Sequence, residues 1–456
     1  MRSILGAVVL IFAALQVRAE SSGLLELYYA AQQNDPVFGA AQASLSAGLE
    51  SGNIGLSGLL PAVQGSLAYS SVSQDITAFN ASKGYSYNPR IAAINISQPI
   101  FDLEKFKDYS IGQLQVGQSQ AIFAEERQSL ALRVSQAYFD LLLAGDNYEL
   151  AVAEKKALEA QAEQSRSLFK GGVATVTDME ESKARYQVAE AQMFVMENAQ
   201  EVSRKRLEKI VGKLPDNMRL GGIYDFDPIP PNPSSLESWK VSSNTHNLKV
   251  LSANINLQLA MLQVEKTGAR HYPTAQLTAS YQNATDPQVN YDKSNSSRIG
   301  VEVILPLYQG GRTSAELRRA QQLQEKARND LEAEVRESEV GATEAFLGVV
   351  GGLSRIHALE QAVKSSLVVV RGMEIGQRNG LRTNTDVLTA QQQLFAAKRD
   401  LQRERYSYLL SMLKLKASIG GLGEDELAFV DALVGVQRSK PLGLHMDRSI
   451  NALAGT

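Results

Sequence analysis

Residues 167–192 read SLFKGGVATVTDMEESKARYQVAEAQ, and residues 374–400 read EIGQRNGLRTNTDVLTAQQQLFAAKRD. Both stretches pass through a helix end, a glycine turn and the start of a long helix. The Thr-Asp pair at Thr177-Asp178 recurs at Thr385-Asp386, an offset of 386 − 178 = 208. The same offset relates Gly172 to Gly380, Ala137-Tyr138 to Ala345-Phe346, and Val211-Gly212 to Ile419-Gly420. Solenoid repeats are only about 20–50 residues long, so a unit of this length is no solenoid. It implies two homologous halves building one object with internal pseudo-symmetry, which points to architecture before it points to an active site.

Outward from the quoted stretches lie long helices. The first half predicts a helix over 103–144, a break at Gly145-Asp146, a second helix ending at Gly171-Gly172, and a third from Thr175 to Gly212. The second half gives 312–350, 353–377 and 383–420. In the last, Val387, Leu394, Leu401, Tyr408 and Leu415 fall seven apart, and Ala390, Ala397, Glu404, Ser411 and Ser418 follow three behind. The equivalent phase in the first half is Met179, Tyr186, Met193, Gln200 and Leu207. Sustained seven-residue spacing with small partners is the pattern of closely packed coiled-coil seams. At the start of the third helix Thr177 with Glu180, and Asp178 with Glu181, have the spacing of helix caps.

Before each set of long helices the period changes from helical to two. A helix over 24–58 is stopped by Pro61, after which Val63, Gly65, Leu67 and Tyr69 alternate with Gln64, Ser66, Ala68 and Ser70. A polar loop over 75–89 precedes RIAAINISQPIFD (residues 90–102), where Ile94 and Ile96 oppose Asn95 and Ser97. The second half repeats the plan: Leu277, Ala279 and Tyr281 against Gln276, Thr278 and Ser280, a loop over 283–297, then Ile299, Val301, Val303 and Leu305. Pro61 matches Pro273, and Pro99 matches Pro306. Strands of about ten residues with one apolar and one polar face suit a membrane barrel with a wet lumen.

The remaining features bound the function. Arg2, an apolar run over 4–17 and Val17-Arg18-Ala19 predict a signal peptide over 1–19 cleaved after Ala19. No later stretch approaches the about 18 apolar residues of a transmembrane helix, so any membrane crossing must use strands. Cysteine is absent, the four histidines have no metal-ligand spacing, and the net charge of −3 gives no reason to expect nucleic acid. No catalytic constellation or phosphate loop is present, so neither an enzyme nor a cofactor is expected. Five prolines between Pro215 and Pro233 mark a linker or small irregular subdomain. The expected domain plan is therefore a first repeat over 20–212 with a hairpin at 61–101, a Pro-rich segment over 213–239, and a second repeat over 240–420 with a hairpin at 273–309. The final segment, 421–456, carries a short helix over 424–434 and a mobile end.

Four membrane strands per chain cannot close a barrel, and open edges in lipid leave backbone groups unpaired at several kcal/mol each. The chain must then assemble with copies of itself. Two copies give 4 × 2 = 8 strands, an interior filled by side chains, and three give 4 × 3 = 12, which can hold a lumen. A periplasmic coiled-coil spacer with soluble hairpins is the competing architecture, and it leaves the strand length unexplained.

The SQPIFD segment (97–102), LPLYQGG (305–311), the paired G-x-x-x-x-T-D elements and the duplicated order of elements resemble the TolC family of outer-membrane channels over residues 20–430. That resemblance implies a membrane α+β fold. A homotrimeric 12-stranded β-barrel in the outer membrane of a Gram-negative bacterium is continued by a long α-helical coiled-coil barrel in the periplasm. An equatorial domain formed by 213–239 and the C-terminal segment surrounds the helices. It implies a passive exit duct for type I secretion or drug efflux, opened by a periplasmic adaptor and an inner-membrane ABC or RND transporter. Residue by residue, the family's periplasmic gate falls on Thr177, Asp178, Arg382 and Asp386, with Glu181 supplying a further acid three residues after Asp178, and the adaptor-contact tips on Gly171, Gly172, Val173, Gly380 and Leu381. The chain departs from the family at Thr389, where a second acidic residue is expected, and at Gln377, where a tyrosine is expected.

Overall fold

The computed structural model describes residues 23–78, 81–215, 223, 227–288 and 291–434. The expected signal peptide with its cleavage point after Ala19, the end beyond 434, and most of 216–226 in the Pro-rich segment lie outside the described residues. The described residues form two compact units, one within 23–39, 128–239 and 342–434, the other within 40–127 and 240–341. Each unit draws on both halves of the sequence.

In the second unit, strands β1 (Ala62–Tyr69), β4 (Arg90–Phe101), β5 (Thr274–Gln288) and β6 (Tyr291–Ile304) form one antiparallel sheet in the order β1-β4-β5-β6. Its register aligns side chains in rows across all four strands. Val63, Ile96, Ala279 and Ile299 form one row, and Gly65, Ile94, Tyr281 and Ser297 the next. The intervening positions give Gln64, Asn95, Ser280 and Arg298 on the opposite face. Period two in each strand has thus become one apolar and one polar face of the whole sheet. Among the described residues nothing covers the apolar face: Leu67 is 88% and Ile299 75% exposed. Pro99 cannot donate to the ladder, and the β4–β5 register shifts between Pro99 and Phe101.

The expected loops differ from what is seen. Residues 75–89 contribute to a two-stranded ribbon, β2 (Val72–Ala78) paired with β3 (Ala81–Tyr87). Residues 283–297 continue the ladder through Asn283 opposite Asn295 to Thr285 opposite Lys293. In the ribbon Val72, Ile76, Tyr85 and Tyr87 share one face with Gln74 and Lys83, opposite Ser73, Asp75, Thr77, Ser82 and Ser86, so alternation is present but diluted by polar residues; in 283–297 polar residues dominate both faces.

Helices below the sheet approach closely. The predicted 24–58 helix is two, α1 (Leu24–Asn34) and α2 (Pro36–Ser57), divided at Asp35-Pro36 because proline begins a helix but cannot continue one. In the second unit α2 lies against α3 (Leu103–Lys170). A Cβ added at Gly112 would lie 2.5 Å from the Ser51 carbonyl oxygen, and one at Gly55 would lie 2.9 Å from that of Asp108. Helix α6 (Leu248–Ala269), capped by the Asn247 side chain, runs into Arg270. That guanidinium bridges Glu104 at 2.8 Å and Glu316 at 2.7 Å, and Lys266 pairs with Asp108 at 2.6 Å.

The first unit holds the other ends of two long helices, α3 and α7 (Arg312–Arg378), with α4 (Val176–Val211), α8 (Asn384–Ser418) and α9 (Glu424–Val434). Neither expected break exists: α3 passes through Gly145-Asp146, and α7 through Gly351-Gly352. An interior glycine costs a helix about 1 kcal/mol. Here the missing side chains admit neighbours, since a Cβ at Gly348 would lie 2.7 Å from Ser411 Oγ and one at Gly352 3.2 Å from the Tyr408 ring. The seam of α8 is buried as its heptads require, at Val387, Leu394, Leu401, Tyr408 and Leu415. In α4 the expected phase is buried only at Leu207; Met179, Tyr186, Met193 and Gln200 are half-buried, and Ser182, Ala189, Ser203 and Val211 are buried instead.

Polar side chains tie the Pro-rich segment to this unit. Arg405, 8% exposed, donates to the Ile223 carbonyl at 3.0 Å and pairs with Glu360 at 2.8 Å, and Trp239 of α5 (Leu236–His246) donates to Pro233. Nearby, Tyr406 donates to buried Asp146 at 2.8 Å. Burial pushes the Asp146 carboxyl up to about 6 against the opposing pull of that hydrogen bond. Helix α9 packs on α1, where Asp431 accepts from the backbone N–H groups of Leu24 and Leu25.

Candidate functional site

The turns at 171–175 and 379–383 are copies in atomic detail. In the first, Gly172 N–H donates to the Phe169 carbonyl at 3.0 Å and Val173 N–H to that of Leu168 at 2.9 Å. In the second, Gly380 donates to Gln377 at 3.0 Å and Leu381 to Gly376 at 2.8 Å. These are the paired bonds of a Schellman end, which demands a left-handed residue, and both glycines sit at φ 72°. Three residues after each glycine the next helix begins at a matching cap. Thr175 Oγ1 accepts from Asp178 N–H at 3.2 Å while Asp178 accepts from Thr175 N–H at 3.1 Å; Thr383 and Asp386 exchange the same bonds at 3.2 and 3.0 Å.

The cap pairs expected from spacing, Thr177 with Glu180 and Asp178 with Glu181, are therefore displaced. The capping threonine is Thr175, Asp178 is the acidic partner three residues on, and Thr177 lies exposed in the first helical turn. Thr175 and Thr383 also keep the 208-residue offset, which was the available signal. The Thr175 hydroxyl and then its N–H hold the Asp178 carboxyl below the usual carboxylate range. The Thr383 N–H, its hydroxyl and the Arg382 charge do the same for Asp386.

The two tips meet within the chain through residues the sequence reading missed. Asn384, 9% exposed, accepts from Gln161 Nε2 at 2.5 Å and Gln377 Nε2 at 3.2 Å, and donates to Ser182 Oγ at 2.6 Å. Ser182 also donates to the Asp178 carbonyl at 2.9 Å and lies 3.0 Å from the Ser165 hydroxyl. Glu181 joins the same junction from outside, accepting from Thr385 at 2.9 Å and pairing with Arg185 at 3.3 Å. Of the expected gate residues, Asp178, Glu181, Arg382 and Asp386 all lie within a few residues of this cluster in sequence. Arg382 is exposed, with its Cγ in the space a side chain at Gly376 would need. Around the turns, Gly171, Gly172 and Gly380 are exposed, and Val173 and Leu381 present apolar side chains to solvent at 77% and 79% exposure.

Among the described residues no helix is long and apolar enough to cross a membrane, and no group of metal ligands is assembled. The surface suited to lipid is the apolar face of the four-stranded sheet.

Comparison with known proteins gives the same architecture. The family model described as outer membrane efflux protein matches residues 27–213 and again 241–421, one match for each half. The alkaline protease secretion protein AprF of Pseudomonas aeruginosa is 30% identical over 427 residues, 92% of this chain and 88% of that one. The outer membrane protein TolC of Vibrio cholerae is 30% identical over 428 residues, 90% of this chain and 94% of that one. The crystal structure of the outer membrane protein VceC from Vibrio cholerae matches with a TM-score of 0.75 at 19% identity, covering 87% of this chain and 96% of that one. A four-stranded sheet with an uncovered apolar face and paired long helices is thus the subunit of an outer-membrane exit duct, and the chain belongs to the outer membrane efflux protein family.

Proposed function

We propose that three copies of the chain close a 12-stranded barrel in the outer membrane. Their long helices form a periplasmic tunnel gated at its entrance by the two tips. One observation carries this reading: among the described residues the sheet β1-β4-β5-β6 ends in two edges with no partner, and it is apolar on one face only. Unpaired edges are excluded from lipid, so β1 of one copy must meet β6 of the next. Two copies would give 8 strands around an interior filled by side chains, whereas a face of Gln64, Asn95, Ser280 and Arg298 suits the wider, wet lumen of 12.

In this reading the repeats 20–212 and 240–420 supply barrel and tunnel, and 213–239 with 421–456 supply an equatorial collar. Thr177, Asp178, Glu181, Arg382 and Asp386 ring the entrance, with Arg382 of one copy facing Asp178 of its neighbour. A periplasmic adaptor engages the exposed Val173 and Leu381, with Gly171, Gly172 and Gly380 allowing close approach. An inner-membrane ABC or RND transporter selects the cargo, because a passive tube does not. Opening is a population shift driven by those partners. The test is the mass of the detergent-solubilised protein. Three copies are expected, and a monomer that persists in lipid would overturn the reading.

A further inference from the structure

A gate at the tips needs a contact that holds and can still be released, and the cluster around Asn384 has that composition. Gln161 comes from α3, Ser182 from α4, Gln377 from α7 and Asn384 from α8, so one side chain from each long helix meets in one layer. Gln161, Ser182 and Asn384 are at most 9% exposed. One layer further from the turns the contact becomes apolar, with Leu158, Ala189 and Leu388 packed together and flanked by Tyr186.

We propose that this polar layer is the releasable latch of each chain, that Asn384 is its hub, and that the apolar layer behind it is the stop. The inference rests on the tips being the gate. Parting an apolar layer exposes hydrocarbon to water, with nothing to replace the lost contacts. Parting a polar layer exchanges protein hydrogen bonds for water hydrogen bonds, so its net cost is far smaller than its gross strength. Opening should therefore begin at the turns, separate Asn384 from Gln161 and Ser182, and halt at Leu158, Ala189 and Leu388. A buried amide in an otherwise apolar seam also fixes register, so the tips reclose in one alignment. Glu181 and Thr385, 2.9 Å apart, form the solvent-exposed rim of the latch and break first.

The test uses full-length channels in planar bilayers. The chain has no native cysteine, so Ser182→Cys with Asn384→Cys makes a single reversible crosslink across the layer. This pair is placed in a background carrying Arg382→Ser and Asp178→Ala, the changes that break the proposed link between copies. With the crosslink oxidised, conductance should stay at its resting value, and reduction should raise it severalfold. Separately, Asn384→Ala should raise open-tip occupancy about tenfold through the loss of its hydrogen bonds. Oxidised channels that conduct as well as reduced ones would overturn the latch, as would Asn384→Ala trimers at resting conductance. If Arg382→Ser with Asp178→Ala, made without the cysteines, stays at resting conductance while Asn384→Ala opens the channel, the link between copies fails and the latch stands.

Discussion

Arginine occurs naturally at position 298, on the polar face of β6, and its neighbour Ile299 lies 75% exposed on the apolar face. Moving the charge by one residue should move it from lumen to lipid. Ile299→Arg would replace the end of the row Val63, Ile96, Ala279 and Ile299 with a guanidinium. Arginine on the lipid face of an outer-membrane barrel costs about 2–4 kcal/mol near the midplane, falling toward the interfaces. Three symmetric copies would add this to about 6–12 kcal/mol per assembly, comparable with the whole stability of a typical domain. Thr278→Arg is the matched control, because Thr278 shares the opposite face with Ser97 and Gly300. The assay is heat-modifiable migration of membrane-extracted protein. Ile299→Arg should give little folded assembly, and Thr278→Arg should assemble near the parent level. Equal assembly of the two variants would refute the assignment of faces.

Two further expectations concern the helices. Gly112→Ala should destabilise the second unit by about 1–3 kcal/mol in denaturant titration, despite alanine's better helix propensity, because its Cβ meets the Ser51 carbonyl at 2.5 Å. Asp146 has its folded-state pKa raised to about 6, so ionisation opposes folding and stability falls as pH rises from about 4 through 6. Asp146→Asn should therefore raise the unfolding free energy from denaturant titration at pH 8 by up to about 2–3 kcal/mol, and change it little at pH 4.

The features legible in the sequence are those with a period. The 208-residue offset located both tips, the heptads of α8 named its buried seam, and alternation in β1, β4, β5 and β6 assigned the faces of the sheet. What escaped had no period or an ambiguous cue. The ribbon β2–β3 dilutes its alternation with Gln74 and Lys83 on its more apolar face, and Gly145 in α3 and the glycine pair in α7 look like breaks until the neighbours that use the space are seen. Thr175 and Thr383 carried a usable signal in their shared offset, yet Thr177 has equally good cap spacing in isolation. Asn384 was invisible for a different reason. Its partners Gln161 and Ser182 lie more than 200 residues away, and nothing local marks a buried amide at the start of a helix.

The bond from Asp431 to the first turn of α1 spans 407 residues. The donors at the start of α1 have no partner within their own helix, so α1 is complete only when α9 arrives to accept from them. The last helix described in the chain thus finishes the first. During synthesis and export the start of α1 waits, unfinished, until Asp431 has crossed the inner membrane. Shortening the chain before Asp431 would leave α1 without its cap and expose Leu24, Leu27 and Tyr28, which α9 otherwise helps to bury. Such a product displays apolar surface in the periplasm, where proteases can remove it before it joins full-length copies.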